Sequence, residues 1–352
     1  MLALLVKLLV IGLTLAAYGA SPDPLTALGR EWNQWDAQHY LYLAANGYTA
    51  SGDARNLIAF FPLYPALVSA VASVGLPLRL AALVISNVAG VVAAILLYEL
   101  ARLDQPSKAA FRAAAFFTLF PTAYFLLVGY TEALFCALAF GTVYAARHRQ
   151  WIASGLLGGL ASASRLTGLA LVPYLLVEAA TRNRGRAGER RRPLTAVSVV
   201  IAGFLVYLAT NQLVLGDPFA FVAVQRQHWS HSLAAPWVGF AQAVRSIGWR
   251  VPWEKLTVGA GEIAGGVIAY AVSVLAWLRL RPADAIYATV LTVMVTFLPF
   301  WLSIPRYLLA MYPLFLLVGR IRSRWLYLVM VAASLTSLVI FGLAFGRGYW
   351  AF

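Results

Sequence analysis

RLAALVISNVAGVVAAILLYEL, residues 79–100, begins on an arginine, ends beside a glutamate and has no charged side chain between them. A helix that crosses a bilayer needs about 20 mostly apolar residues, and the chain holds many such windows. Of its 352 residues, 62% are hydrophobic and 11% charged, with a mean hydropathy of +0.77. Soluble domains carry about a quarter charged residues, so this composition excludes one. Lipid cannot satisfy backbone polar groups, which restricts the spans to helices or closed barrels. The alternating strands of a barrel, about 10 residues each, are missing. The expected fold is an all-α polytopic membrane protein.

The net charge is +14, and its distribution points to topology rather than nucleic acid. Basic residues cluster at Arg102/Lys108/Arg112, Arg147/Arg149, Arg182 to Arg192, Arg279/Arg281 and Arg320/Arg322/Arg324. Short loops rich in Lys and Arg stay cytoplasmic during insertion. With all five inside, about 11 crossings are expected. They are Leu2–Ala20, Arg79–Leu100, Phe111–Gly129, Ala133–Ala146, Trp151–Ser164, Leu166–Ala180, Leu194–Leu215, Val258–Leu280, Ala285–Ser303, Tyr307–Gly319 and Trp325–Phe345. The apolar stretch Leu57–Leu76 is interrupted by Pro62 and Pro65 and closed by Pro77. Counting it as a crossing would turn every basic cluster outward, so it reads as a re-entrant or interfacial segment. Leu2–Ala20 reads as an uncleaved anchor, its one charge being Lys7. The whole chain, 1–352, is expected to form one membrane domain with outer loops at 21–78 and 216–256.

This topology gathers the scarce polar residues on the outer side. The first outer loop carries Trp35-Asp36-Ala37-Gln38-His39-Tyr40. If this stretch is helical, Asp36, His39, Tyr40 and Leu43 share a face. Further outer candidates are Tyr64, Tyr130 and Glu132, Arg165, then Gln225, His228 and Trp229, and finally Arg306 and Tyr307. Other roles exist for these side chains. Asp36 and Glu132 could cap helices or turns, the two arginines could snorkel to lipid phosphates, and the aromatics could form an interfacial belt. A charge at the bilayer centre nonetheless costs about 2.5–3.5 kcal/mol on insertion scales and tends to be functional. No metal site is expected: His228 and His231 lack a third ligand at suitable spacing, and the single Cys136 reads as a small buried hydrophobe. A divalent cofactor is allowed but not required.

Trp35-Asp36-x-x-His39-Tyr40-x-x-x-Ala44-x-x-Gly47-Tyr48, followed by Phe60-Phe61-Pro62-Leu63-Tyr64-Pro65, resembles the PIG-V-like mannosyltransferases, relatives of GPI mannosyltransferase II. Pro121-Thr122-Ala123-Tyr124-Phe125 with Tyr130-Thr131-Glu132-Ala133-Leu134-Phe135 is similar to that family's second signature. Ser164-Arg165-Leu166-Thr167-Gly168 and Arg306-Tyr307 match its later ones. The resemblance implies a GT-C glycosyltransferase with a catalytic first outer loop. It implies inverting transfer of a sugar, expected to be mannose, from a polyprenyl-phosphate-linked donor to a lipid, glycan or protein hydroxyl outside the membrane. In that scheme Asp36 is the base, and Arg165, Arg306 and His39 meet the donor phosphate. Trp35, Tyr40, Tyr64, Tyr130, Glu132, Gln225, His228, Trp229 and Tyr307 are expected substrate contacts.

The chemistry of the residues points the same way. A sugar hydroxyl is a weak nucleophile until a carboxylate accepts its proton, and arginine suits a forked contact with phosphate. The Ala- and Arg-rich composition reads as bacterial, which would place the protein in a plasma membrane. The rival reading is a transporter or flippase of lipid-linked sugars. It would place polar residues near the bilayer midplane on helices related by an internal repeat, and no repeat is evident.

Overall fold

The computed structural model describes Gly12, residues 32–182 and residues 191–352. The expected anchor Leu2–Ala20, the start of the 21–78 loop and most of the Arg182 to Arg192 cluster lie outside the described residues. Every regular element among the described residues is helical. Among the described residues, four helices are long and apolar enough to cross a membrane: Leu78–Arg102, Arg191–Leu215, Pro252–Arg279 and Arg324–Gly346. Three shorter apolar helices accompany them, Trp151–Ser164, Leu166–Thr181 and Pro282–Thr296. Prolines open several helices, at Pro236, Pro252 and Pro282, where a missing N–H is harmless and φ is already set.

The sequence leads to a crossing over Phe111–Gly129, but the helix ends at Thr118 and a 3-10 turn follows over Ala123–Leu126. Pro121 accounts for the stop, because proline cannot donate to the ladder and disfavours helical backbone at the residue before it. At the Phe60–Pro62 break the chain bends by 110° between Asp53–Ala59 and Leu63–Ala72. The ten residues of Leu63–Ala72 are too few to span about 30 Å of hydrocarbon.

The chain divides into two compact units, each discontinuous in sequence: 1–46, 64–137 and 314–352 form the first, and 47–63 with 138–313 the second. In the first, the end of the chain returns to the Ser107–Thr118 helix. Phe315 packs on Phe116, Phe117 and Phe120. Gln105 donates to Leu316 O at 3.0 Å, Tyr327 to Arg112 O at 3.0 Å, and Ser334 to Leu119 O at 2.8 Å.

In the second unit, Trp151–Ser164 lies against Arg191–Leu215 with almost no side chain between them. A Cβ added to Gly203 would stand 1.9 Å from Gly159 O, and one on Gly155 2.9 Å from Ala196 Cα. Ser162 donates across the seam to Val200 O at 2.5 Å. Lipid supplies no hydrophobic drive to pair helices, so close packing of small residues and interhelical hydrogen bonds do it. Two of the arginines in the basic clusters are bound inside this unit: Arg281 Nη2 reaches both oxygens of the fully buried Glu178 at 3.0 and 3.1 Å, and Arg147 Nε lies 3.9 Å from Glu178.

Candidate active site

In the first unit Asp36 heads the helix Asp36–Asn46. Trp35, just before it, has φ 53°, a left-handed conformation uncommon for a bulky residue. The turn is held from outside the helix. Tyr130 Oη accepts from the Asp36 N–H at 3.2 Å and donates to Gln34 O at 3.1 Å. Tyr130 is itself buried among Phe125, Tyr40 and Phe345. Its carbonyl accepts from Ser86 Oγ at 3.1 Å, and Ser86 in turn meets Tyr64 Oη at 3.0 Å. Tyr64 also donates to Ala82 O at 3.1 Å and packs edge-on against Tyr40 at 5.2 Å.

Tyr64 and Tyr130 are therefore buried supports of the Asp36 helix. Tyr40, also buried, lies 3.5 Å from Thr131 Oγ1. The helical face of Asp36, His39, Tyr40 and Leu43 is graded: Tyr40 and Leu43 are buried, while Asp36 and His39 are half-buried. Gly129 leaves room here for Asn33, whose Oδ1 would lie 2.1 Å from a Cβ at that position. Glu132 is buried at the start of its helix. Trp35 is exposed and meets Trp350 edge-to-face at 5.3 Å. Asn33, Ser86 and Trp350 were not singled out from sequence, and no spacing rule would reveal contacts so distant along the chain.

In the second unit, Arg165 follows the Trp151–Ser164 helix in extended backbone, before the tight 3-10 turn Leu166–Ala170. The turn folds onto the helix end, where a Cβ on Gly168 would meet Ser162 Cα at 2.5 Å. Arg165 Cζ lies 4.9 Å from the Tyr307 ring centre, and Arg306 Cζ 5.8 Å from the same ring. Arg165 is thereby brought from far along the chain to the neighbours Arg306 and Tyr307, a pattern suited to an anion. Arg306 is buried, Arg165 half-buried.

A second cluster joins Trp229 to Phe60 at 5.7 Å, with exposed His228 beside Trp229 and Gln225 Oε1 3.0 Å from His231 Nδ1. Among the described residues no group of three or more His, Cys, Asp or Glu could hold a metal. Sequence reasoning passed over Glu262, which is fully buried inside the apolar run from Val258 to Leu280. The rule that flagged Arg165 and Arg306, that charge in apolar sequence is costly, applies to it equally.

This fold has counterparts among solved structures. ArnT from Cupriavidus metallidurans, bound to undecaprenyl phosphate, aligns with a TM-score of 0.52 at 14% identity, covering 98% of this chain and 74% of that one. The oligosaccharyltransferase AglB from Archaeoglobus fulgidus, in complex with an inhibitory peptide and a dolichol-phosphate, aligns with a TM-score of 0.52 at 12% identity, covering 99% of this chain and 56% of that one. This chain therefore shares its fold with these two proteins over nearly its whole length. In sequence, the Mannosyltransferase (PIG-V) family matches residues 26–336, and the chain belongs to that family.

Its curated relatives include GPI alpha-1,6-mannosyltransferase 2 of Rattus norvegicus, 34% identical over 174 residues, and GPI mannosyltransferase 2 of Yarrowia lipolytica, 29% identical over 168 residues. Each match covers 46% of this chain, but only 34% of the rat protein and 44% of the yeast one.

Proposed function

We propose that the chain is an inverting mannosyltransferase that takes its sugar from a polyprenyl-phosphate-linked donor. The acceptor is a hydroxyl on a lipid, glycan or protein at the non-cytoplasmic face. In the reaction the acceptor oxygen bonds to the anomeric carbon as the bond from that carbon to the phosphate oxygen breaks. Asp36 accepts the acceptor's proton, and the lipid phosphate leaves with the bonding electrons. Arg165 and Arg306 are assigned to the negative charge that grows on the phosphate, His39 to a further contact with it. Exposed Trp35, with Gln225, His228 and Trp229, is assigned to substrate.

The observation that carries this reading is the backbone clamp on Asp36. Asp36 heads a helix and is half-buried, and its backbone is fixed through Tyr130, so its carboxylate is presented to an acceptor's proton from a constant position. Two facts about other proteins support the donor class: the fold neighbours were solved with undecaprenyl phosphate and a dolichol-phosphate. The basic clusters support a cytoplasmic placement of their loops, with Asp36 and Arg165 on the far side. Multiple crossings of a cell membrane complete the proposed topology.

The test is transfer of radiolabelled mannose from synthetic polyprenyl-phosphate-mannose into membrane lipids or proteins, with wild type and Asp36→Ala side by side. Product from wild type, reduced about 10²–10⁴-fold in the variant, is expected. Equal product from both would refute the base assignment.

A further inference from the structure

We propose that Glu262 is a positioning residue that holds in place the turn carrying Arg306, so that Arg306 meets a lipid phosphate in a fixed geometry. The inference rests on the assignment of Arg306 to the donor phosphate.

Glu262 lies in the first turn of the Gly261–Arg279 helix, directly after a π-helical turn over Lys255–Ala260. Such turns are rare and recur at functional sites. Its side chain is fully buried, and each carboxylate oxygen accepts from a different backbone N–H: Ser303 at 2.5 Å and Ile304 at 2.8 Å. These N–H groups open the four-residue helix Ile304–Tyr307, where no intrahelical partner exists for them. Ser303 has φ 69° and ψ 18°, left-handed backbone that a serine keeps only when its surroundings impose it.

The same helix face is shaped to the turn. A Cβ on Gly265 would stand 3.0 Å from Pro305 Cδ, and one on Gly266 2.6 Å from Trp301 Cζ3. Positions 262, 265 and 266 follow the i, i+3, i+4 spacing of one face. Trp301 is gripped from its other side by Gly239, where a Cβ would fall 2.2 Å from Cδ1. A neutral cap such as serine or asparagine would satisfy an N–H with a smaller desolvation penalty. What a carboxylate adds is a second acceptor oxygen, so one side chain serves two adjacent N–H groups. The acid thus fixes the backbone that carries Arg306, which is itself buried.

The experiment uses the full chain in lipid nanodiscs, with polyprenyl-phosphate-mannose as donor and sugar-free polyprenyl phosphate as competitor. Glu262→Gln keeps the shape but turns an amide N–H toward a backbone N–H. Its donor KM and the competitor's inhibition constant are expected to rise roughly ten- to a hundredfold, with the acceptor KM unchanged. Glu262→Asp, shorter but still with two acceptor oxygens, is expected to recover part of the loss. A purely structural role would lower the melting temperature and the active fraction while leaving both donor constants alone.

Gly265→Ala moves the turn without touching charge and is expected to raise the donor KM several-fold, so it decides the matter if Glu262→Gln does not fold. Folded variants with unchanged donor constants would overturn the proposal. If wild type neither transfers mannose nor binds polyprenyl phosphate, the functional reading fails and this inference falls with it. If wild type does both and Arg306→Lys weakens binding while Glu262→Gln does not, only the inference fails.

Discussion

Replacing Tyr130 with phenylalanine removes one oxygen and leaves the ring. That ring packs on Phe125 at 4.9 Å, Phe345 at 5.8 Å and Tyr40 at 6.4 Å, so the core should keep its shape. The lost hydroxyl is the partner of two backbone groups, the Asp36 N–H at 3.2 Å and Gln34 O at 3.1 Å. A buried group left without its partner costs about 1–3 kcal/mol. Both groups here are only partly buried and the bonds are long, so about 1–2 kcal/mol in total is the reasoned loss. Little of that need appear as global unfolding, because the turn can loosen by itself. It should appear as poorer placement of the Asp36 carboxylate, and each 1.36 kcal/mol of lost transition-state stabilisation is about tenfold in rate.

Tyr130→Phe should therefore lower kcat for mannose transfer by about five- to thirtyfold, with the donor KM little changed. Steady-state transfer kinetics and a thermal melt on the same preparation would read both quantities. Asp36→Asn with Tyr130→Phe should be no slower than Asp36→Asn alone, since residues acting as one unit are not additive. A kcat within twofold of wild type, or full additivity in the double variant, would refute the argument.

Gly203→Ala should separate the Trp151–Ser164 and Arg191–Leu215 helices, because the new methyl would meet Gly159 O at 1.9 Å. A loss of at least about 1–3 kcal/mol is expected in thermal or denaturant melts. Glu178→Gln strips the counter-charge from buried Arg147 and half-buried Arg281 and should destabilise by about 3 kcal/mol. Neutralising both arginines in the same chain should recover most of it. Arg165→Lys keeps the charge but loses the planar contact over Tyr307 at 4.9 Å. The kcat/KM for the donor should fall about three- to thirtyfold, with kcat lowered as well.

Legibility from sequence followed the physics of each signal. Hydropathy reports whether a segment avoids water, so Leu78–Arg102, Arg191–Leu215 and Arg324–Gly346 were readable within a few residues. It does not report whether the backbone stays helical. Phe111–Gly129 carries no charge after Arg112 but breaks after Thr118, because a buried break inside protein needs only internal partners for its backbone, not charged side chains. Asn87 provides one of them, donating to Leu127 O at 3.0 Å. The helix from Asp36 was readable because its i, i+3, i+4 pattern is local. The meeting of Arg165 with Tyr307 was not, since nothing local encodes a contact across so much chain; the two arginines stood out only as isolated charges. Glu262 was hidden by averaging, one acid diluted in a run of glycine, alanine and valine.

The functional candidates share a position that explains both their exposure to chemistry and their cost. Asp36 begins a helix, Arg165 follows one, and Arg306 sits in a four-residue turn between two breaks. Helix interiors in a membrane protein have no spare backbone polarity, so they offer packing surfaces. Their small residues, such as Gly159 and Gly203, are spent on contact between helices. Breaks expose N–H and C=O groups that lipid cannot satisfy, and a side chain must be brought in for each. Tyr130 does this at the Asp36 turn and Glu262 at the Arg306 turn. The group that rescues the backbone is then also the group that fixes the neighbouring functional side chain, so stability at these breaks and geometry at the site are set by the same hydrogen bonds. Polar residues that merely bond back along their own helix have no such dual role. Thr210, donating to Val206 O at 2.9 Å, belongs to that second kind, and its loss touches neither a break nor a candidate functional group.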